Sequence, residues 1–430
     1  MLRAFLNAFK VPDLRNKILF TLLIIVIYRF GSHVPVPVVD LTIIRDQISQ
    51  QTDQGILSFI DIFSGGALSN LSVFALGIMP YITSSIIMQL LTVVIPKLQQ
   101  YQEQGESGVK KINQWTRYVT VVLALLQATG IVFAFHSGTF GTTDVFREGT
   151  FTSGNVALIV LTLTAGTAMI MWLGELITQR GIGNGMSILI FTSVISSLPS
   201  QGSQILRQSS TPVFIGFLLL GVAIVVGIVF VDQGQRRIPI QYAKRVVGRR
   251  MTGGTSTYLP LKVNQAGVIP IIFATSILYF PALLASLPGL AGTAWFTDFV
   301  TNHVNNQRSP VYMVLLTVLI VFFTYFYTAI QFDPVRTADQ IRKQGGFIPG
   351  IRPGPPTASY LNDILVRISL PGSLFLALVA LLPSIALAYL AANSFPFGGT
   401  SILIAVGVAL ETMKQIESQL LMRHYEGFLK

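Results

Sequence analysis

The sequence predicts an all-α integral membrane protein that crosses the bilayer ten times. Three observations carry the prediction. Of its 430 residues, 51% are hydrophobic and only 11% are Asp, Glu, Lys or Arg, less than half the roughly 25% with which a soluble domain covers its surface. The apolar residues gather into ten runs of about the length, roughly 17–25 residues, that spans a bilayer core. Finally, the cations fall almost entirely on alternate connections between those runs. A water-soluble globular fold is excluded, and so is disorder, whose mark is low hydrophobicity.

The runs cover residues 18–36, 72–95, 116–136, 155–178, 183–199, 213–231, 266–287, 311–330, 369–390 and 398–418. The most apolar part of the first ends at Arg29 with no small-residue cleavage site, so it reads as a span and not as a signal peptide. The fifth is short and the tenth runs into a polar end. The net charge is +11, which in a soluble chain would suggest nucleic acid. Here its placement decides otherwise, because 24 of the 29 Lys and Arg lie on the N-terminal segment, the even-numbered loops and the C-terminus. Lys and Arg mark the cytoplasmic side of a membrane, so both termini are expected there. Two of these loops, about 232–265 and 331–368, carry more charge than orientation needs. They read either as solvated positive-inside loops or as a platform for an acidic or RNA-rich partner.

The spans are nearly free of ionisable groups, which pumps and carriers keep at mid-membrane. Arg29, Glu175 and Glu411 lie toward span ends with no obvious partner, and are expected to snorkel or cap. Cys is absent, and His33, His136, His303 and His424 sit at span ends or in loops. No metal site, cofactor or catalytic residue is expected. Gly181-Ile182-Gly183-Asn184-Gly185 follows a membrane helix and not a strand, so it reads as a tight turn that uses glycine's freedom.

Two places interrupt the spans. Asp61-Ile62-Phe63-Ser64-Gly65-Gly66-Ala67-Leu68-Ser69-Asn70 is too polar and Gly-rich to cross lipid, yet more apolar than a wet loop. It reads as an extracellular turn or as a segment that re-enters the membrane beside a cavity. Pro80 in the second run should clash with the Leu76 carbonyl and kink the span, and Pro270 and Pro281 repeat the device in the seventh. No convincing internal sequence repeat is visible.

Long strings in these stretches resemble the SecY/Sec61-alpha family, the pore subunits of Sec protein translocases. They are Phe74-Ala75-Leu76-Gly77-Ile78-Met79-Pro80-Tyr81-Ile82, Trp172-Leu173-Gly174-Glu175, the Gly181–Gly185 string, Tyr242-Ala243-Lys244-Arg245, Leu259-Pro260-Leu261-Lys262-Val263-Asn264, Ala266-Gly267-Val268-Ile269-Pro270 and Phe347-Ile348-Pro349-Gly350-Ile351-Arg352-Pro353-Gly354. The resemblance runs nearly end to end.

It implies two pseudo-symmetric, inverted five-helix halves, 1–205 and 206–430, around a central hourglass pore. The pore ring would be Ile78, Ile82, Ile190, Ile272 and Ile404. An isoleucine collar offers no oxygen to replace an ion's hydration shell and a narrow apolar constriction gates by dewetting, whereas a threaded polypeptide still meets non-directional packing. Asp61, Ile62, Phe63, Ser64, Gly65, Gly66, Ala67, Leu68, Ser69 and Asn70 match the family's plug, a short helix that closes the outer funnel. Thr83 and Phe280 fall at the lateral gate, where a signal sequence leaves for lipid by burial of apolar area. Arg236, Arg237, Lys244, Arg245, Arg249, Arg250 and Arg352 match the contact loops for the motor ATPase SecA and the translating ribosome, where rRNA phosphate would make binding salt-sensitive. SecE and SecG are the implied subunits, preproteins with signal sequences the substrate, and the bacterial cytoplasmic membrane the location. Tyr258 stands where the family often has His. A secondary carrier for a small solute is the alternative reading, and a scaffold without transport activity a third.

Overall fold

In the computed structural model, the described residues are 9–37, 39, 61, 63–136, 151–208, 211–242, 245–247, 250–252, 256–285, 294–304, 306, 309–389 and 399–426. Ten helices fall on the ten predicted runs. They are α1 (Pro12–Gly31), α2 (Met79–Val94), α4 (Glu106–His136), α5 (Ser153–Arg180), α6 (Gly185–Gln208), α7 (Thr211–Gln233), α8 (Ile269–Ala285), α10 (Pro310–Gln331), α12 (Pro355–Tyr389) and α13 (Gly399–Glu426). Three shorter helices join them: α3 (Pro96–Glu103), α9 (Ala294–Phe299, continued by a π turn over Val300–Val304) and α11 (Pro334–Lys343).

By length and composition, Glu106–His136, Ser153–Arg180, Pro310–Lys343 and Pro355–Leu382 can each cross a bilayer, and α2 with α3, bent by 99° at Ile95, makes a fifth. Gly185–Pro199, Leu218–Gln233 and Ile269–Leu278 are shorter apolar helices. α1 shows how a span divides its faces. Leu14, Ile18, Thr21, Ile24 and Tyr28, at helical spacing, are buried, while Leu19, Leu22, Leu23, Val26 and Phe30 are exposed. α7 and α10 likewise turn Leu219, Val226, Phe230, Val314 and Phe322 outward. Outward apolar faces of this extent suit lipid and not water.

The expected kink at Pro80 is not formed. The chain is non-helical before Met79, so Pro80 sits in the first turn of α2, where its missing N–H would have had no partner anyway. Pro270 sits the same way at the start of α8. Both helices are preceded by a glycine at positive φ, Gly77 at 57° and Gly267 at 63°. Ile82 N–H then donates to Ile78 O at 3.1 Å, and Ile272 N–H to Val268 O at 3.4 Å. One Gly-x-x-Pro start thus serves two helices that pack on each other. It is an internal repeat too short to stand out in sequence. The first span also ends earlier than expected, at Gly31, because a turn there turns the chain toward the Pro35–Ser72 bridge.

The two basic loops are not separate solvated loops. The first forms β1 (Gln235–Tyr242), β2 (Arg245–Val247), β3 (Arg250–Thr252) and β4 (Thr257–Lys262), and the second contributes β5 (Gly346–Phe347). The strands order β4-β1-β5, antiparallel, with Gln235 opposite Lys262 and Gln241 opposite Phe347. Ile238, Leu261, Ile348, Leu361 and Leu365 give this platform its own small core.

Close helix contact at the Gly181–Gly185 turn rests on small residues. Gly183 takes φ 80°, and a Cβ on Gly185 would overlap the Gly174 carbonyl of α5. Gly185→Leu is expected to cost about 1–3 kcal/mol or more by overpacking and to lower the unfolding midpoint in detergent. An unchanged midpoint would mean that α5 and α6 separate freely.

Candidate functional site

The five isoleucines face inward. Ile78, Ile82, Ile190, Ile272 and Ile404 are 2%, 7%, 4%, 7% and 0% exposed, and all belong to one contiguous apolar cluster drawn from α1, α2, α5–α8, α10, α12 and α13. A cavity of about 280 Å³ reaches two of them, Ile190 and Ile272. Asn184, Asp232, Lys262, Asn264, Gln331, Glu411 and Lys414 make its walls polar, while Ile190, Ile228, Ile272 and Leu403 line it with apolar side chains. Lys262 on β4 and Asn184 in the glycine turn place the cavity on the side of the basic platform. Lys414 Nζ on α13 bonds Asp232 Oδ2 on α7 at 2.5 Å.

A non-helical stretch lies beyond the isoleucines. Along α6, Asn184 just before its start and Ser187 line the cavity, Ile190 follows, and Ser193 and Ser196 then lie against Gly65. At about 1.5 Å of rise per residue, these serines stand roughly 4–9 Å past Ile190. The stretch is helical only at Asp61 and Phe63–Ser64 and then runs in turns to Ile78. Phe63, Ser64, Ala67, Leu68 and Leu71–Ser72 are buried, which favours the re-entrant reading over the wet turn. Its backbone is paired internally: Gly66 N–H donates to Asp61 O, Ser72 N–H to Ala67 O, Val36 N–H to Leu71 O and Val73 N–H to Val34 O, each at 2.9 Å. Side chains complete the set, with Leu68 N–H donating to Ser64 Oγ (3.1 Å), Ser69 N–H to Asp61 Oδ1 (2.8 Å) and Asn70 Nδ2 to Gly66 O (3.0 Å). Burial pushes the Asp61 carboxyl up, and the hydrogen bond from Ser69 only partly offsets it. Ile62 lies outside the described residues.

Two expectations about charge are corrected. Arg29 does not snorkel outward; its Nη1 donates to Gly65 O at 2.7 Å and to Ser196 Oγ at 2.9 Å. Glu175 does have a partner, Arg117 Nε on α4 at 2.6 Å. In the sequence Arg29 stands out as a lone charge but its role does not, and nothing singles out Tyr28, Ser193 or Ser196. The contacts span 36 and 167 residues, a separation no local pattern encodes. Thr83 is half-buried on α2, bonding back to Met79 O at 3.0 Å, on a helix that packs against α4 and α8. The Phe280 side chain lies outside the described residues.

On the platform, Arg236 and Arg237 are exposed beside buried Ile238. The Arg237 guanidinium stands 5.6 Å from the centre of the Tyr258 ring, a cation–π contact that gives Tyr258 a local role. Arg352 is exposed in a turn framed by Gly350 at φ 82° and Gly354 at φ 107°, and its carbonyl accepts from Thr357 Oγ1 at 2.9 Å. Lys244 and Arg249 lie outside the described residues, as do the side chains of Arg245 and Arg250.

The SecY family model matches residues 72–413. This chain belongs to the SecY family. It is 54% identical to the protein translocase subunit SecY of Streptomyces scabiei and 50% identical to that of Mycobacterium tuberculosis H37Rv, each over the full length of both chains. Among solved structures, a protein conducting channel superposes with a TM-score of 0.63 at 16% identity, covering 94% of this chain and 92% of its own. A second, a SecY protein whose plug domain is described as stabilising the closed state, gives 0.63 at 18% identity with the same coverage. Sec61 in a canine ribosome-channel complex gives 0.59 at 16% with the same coverage. At these identities the structures establish the shared fold. The carrier reading gains no support, since the full-length SecY relatives are translocase subunits.

The raised Asp61 carboxyl gives the SecY-family chain a pH dependence. A group whose folded pKa is raised favours the packed state while protonated, and that contribution is lost as pH rises through the folded value. Above the ordinary carboxylate range, burying the Asp61 carboxyl therefore opposes packing of its own segment. Asp61→Asn, which still accepts from Ser69, should slow amide hydrogen exchange over residues 63–72 at neutral pH, with the difference closing as pH falls into the carboxylate range. Faster exchange in the variant would show instead that the charge holds the segment.

Proposed function

We propose that this chain is the channel-forming subunit of a Sec translocase, conducting unfolded preproteins across the membrane and releasing hydrophobic segments sideways into lipid. The observation that carries the reading is the order along α6: polar cavity, Ile190, then a buried glycine- and serine-rich stretch. Ile78, Ile82, Ile190, Ile272 and Ile404 act as the pore ring, and residues 61–70 as the plug. Burial of all five isoleucines in one cluster supports this. A polypeptide entering the cavity meets hydrogen-bonding walls first and a greasy waist second. The waist accepts any side chain by contact alone and denies a hydrated ion its ligands.

α2 and α8 form one wall of the lateral gate, with Thr83 and Phe280 on it; their direct packing and matching Gly-x-x-Pro starts support an inverted division into 1–205 and 206–430. The platform is the cytoplasmic docking face for SecA and the translating ribosome. Exposed Arg236, Arg237 and Arg352 support that reading, and the ribosome-bound Sec61 relative in fold is in keeping with it. Lys244, Arg245, Arg249 and Arg250 are assigned to the same contact loop by the family resemblance of their sequence. SecE and SecG complete the complex in the bacterial cytoplasmic membrane, both termini inside, and the chain itself catalyses no bond-making step.

Ile78→Asn or Ile404→Asn should let water and ions into the waist. Vesicle conductance should rise, and preproteins with defective signal sequences should be exported better than by wild type. Unaltered conductance in both variants would count against the ring. Arg352→Glu should leave the protein inserted while reducing SecA-driven translocation at least about tenfold, the scale of losing a charge-assisted contact. Normal motor-driven rates would remove Arg352 from the docking face.

A further inference from the structure

Resting on the plug reading above, we infer that Tyr28 and Arg29 are positioning residues that latch the plug shut, and that their serine partners on α6 make the latch reversible. Two consecutive residues of α1 reach two consecutive plug carbonyls. Tyr28 Oη lies 3.2 Å from Ser64 O, and Arg29 Nη1 2.7 Å from Gly65 O. Each also contacts a serine one turn apart on α6: Tyr28 Oη is 2.6 Å from Ser193 Oγ, and Arg29 Nη1 is 2.9 Å from Ser196 Oγ. Plug, α1 and α6 are therefore joined by a two-rung ladder. The Tyr28 ring is fully buried and stacked on Phe74 at 5.8 Å, so its hydroxyl is aimed and not free to wander. A Cβ on Gly65 would fall 3.0 Å from Ser193 Cα, so the plug backbone lies directly on α6.

Counting protons shows why the latch can open. Tyr28 has one hydroxyl proton and two acceptors within reach, Ser64 O and Ser193 Oγ. Ser193 also has one, and can give it to Tyr28 Oη or to Leu189 O at 2.9 Å. With the plug in place, Ser193 donates to Tyr28 and Tyr28 donates to Ser64 O. When the plug leaves, Tyr28 turns its proton to Ser193 and Ser193 turns its own to Leu189 O. No buried donor is orphaned in either state, so release avoids the penalty of an unsatisfied group. Arg29 follows the same logic. Its acceptors among the described residues are a neutral carbonyl and a neutral hydroxyl, and no described carboxylate pairs with it. A buried ion pair would resist separation strongly, whereas a guanidinium on neutral oxygens gives one up and keeps Ser196, which itself donates to Ser193 O at 2.8 Å.

The test uses the chain reconstituted with its companion subunits in vesicles, reading resting ion conductance. Deletion of residues 61–70 serves as the fully unplugged reference. Arg29→Gln and Tyr28→Phe should each raise conductance roughly tenfold toward that reference, the population shift expected from losing one hydrogen bond of this kind. Arg29→Lys, which keeps a cationic donor, should leak less than Arg29→Gln. Ser193→Ala should leak less than Tyr28→Phe, because it removes the Ser193 contact to Tyr28 Oη but leaves the Tyr28 bond to Ser64 O in place. Sealed Arg29→Gln and Tyr28→Phe beside a leaking deletion would overturn the latch and leave the plug standing. A sealed deletion would overturn the plug reading and the latch with it. Ser193→Ala leaking as much as Tyr28→Phe would assign the effect to packing and overturn the latch as well.

Discussion

Backbone groups that cannot reach water must find partners inside the protein, and this constraint governs the centre of the molecule. Helices meet it by themselves. The stretch from Phe63 to Ile78 does not, because glycines at positive φ and serines break its ladder, yet it is buried among helices. Its carbonyls and amides are answered by Val34 and Val36, by Asp61 and Ser64, and by the side chains of Tyr28 and Arg29. A segment held through such scattered bonds is ordered without being welded, as the proposed plug role requires.

The apolar cluster around the isoleucines answers the opposite demand. Close packing there needs no polar partner, so side chains from many helices meet without directional commitments. A hydrogen-bonded constriction would select sequences and bind them, but one of methyl groups does neither. In the proposed channel, the polar cavity and the apolar waist would divide the work between admission and sealing.

The basic platform links that centre to the outside. β5 joins the strand β1 through two residue pairs, Gln241 with Phe347 and Tyr242 with Gly346, so two loops far apart in sequence become one body. The Asp333 carboxylate caps α11 by accepting from Val335 N–H at 2.9 Å and Arg336 N–H at 3.1 Å, fixing the route by which the chain returns to the platform. The glycine-framed turn at Arg352 then opens directly into α12, which reaches back through the apolar cluster.

Composition and periodicity by themselves determined the solvent of this protein, the number of its spans and the placing of its cations, because each follows from local residue chemistry. The strings around Pro80, Asn184 and Arg352 carried the family. Where Pro80 acts was not legible: the sequence permitted a kink inside a helix, and only the non-helical path of residues 65–78 made it a helix start. Nor could the sequence reveal that the two basic loops share a sheet, since β1–β5 pairing depends on registers about a hundred residues apart. The burial of five isoleucines in one cluster, each indistinguishable in sequence from a lipid-facing neighbour, was decided by helix packing. So were the partners of Arg29, Tyr28 and Glu175, because hydrogen bonds between distant segments exist only once the tertiary structure has brought their atoms within reach.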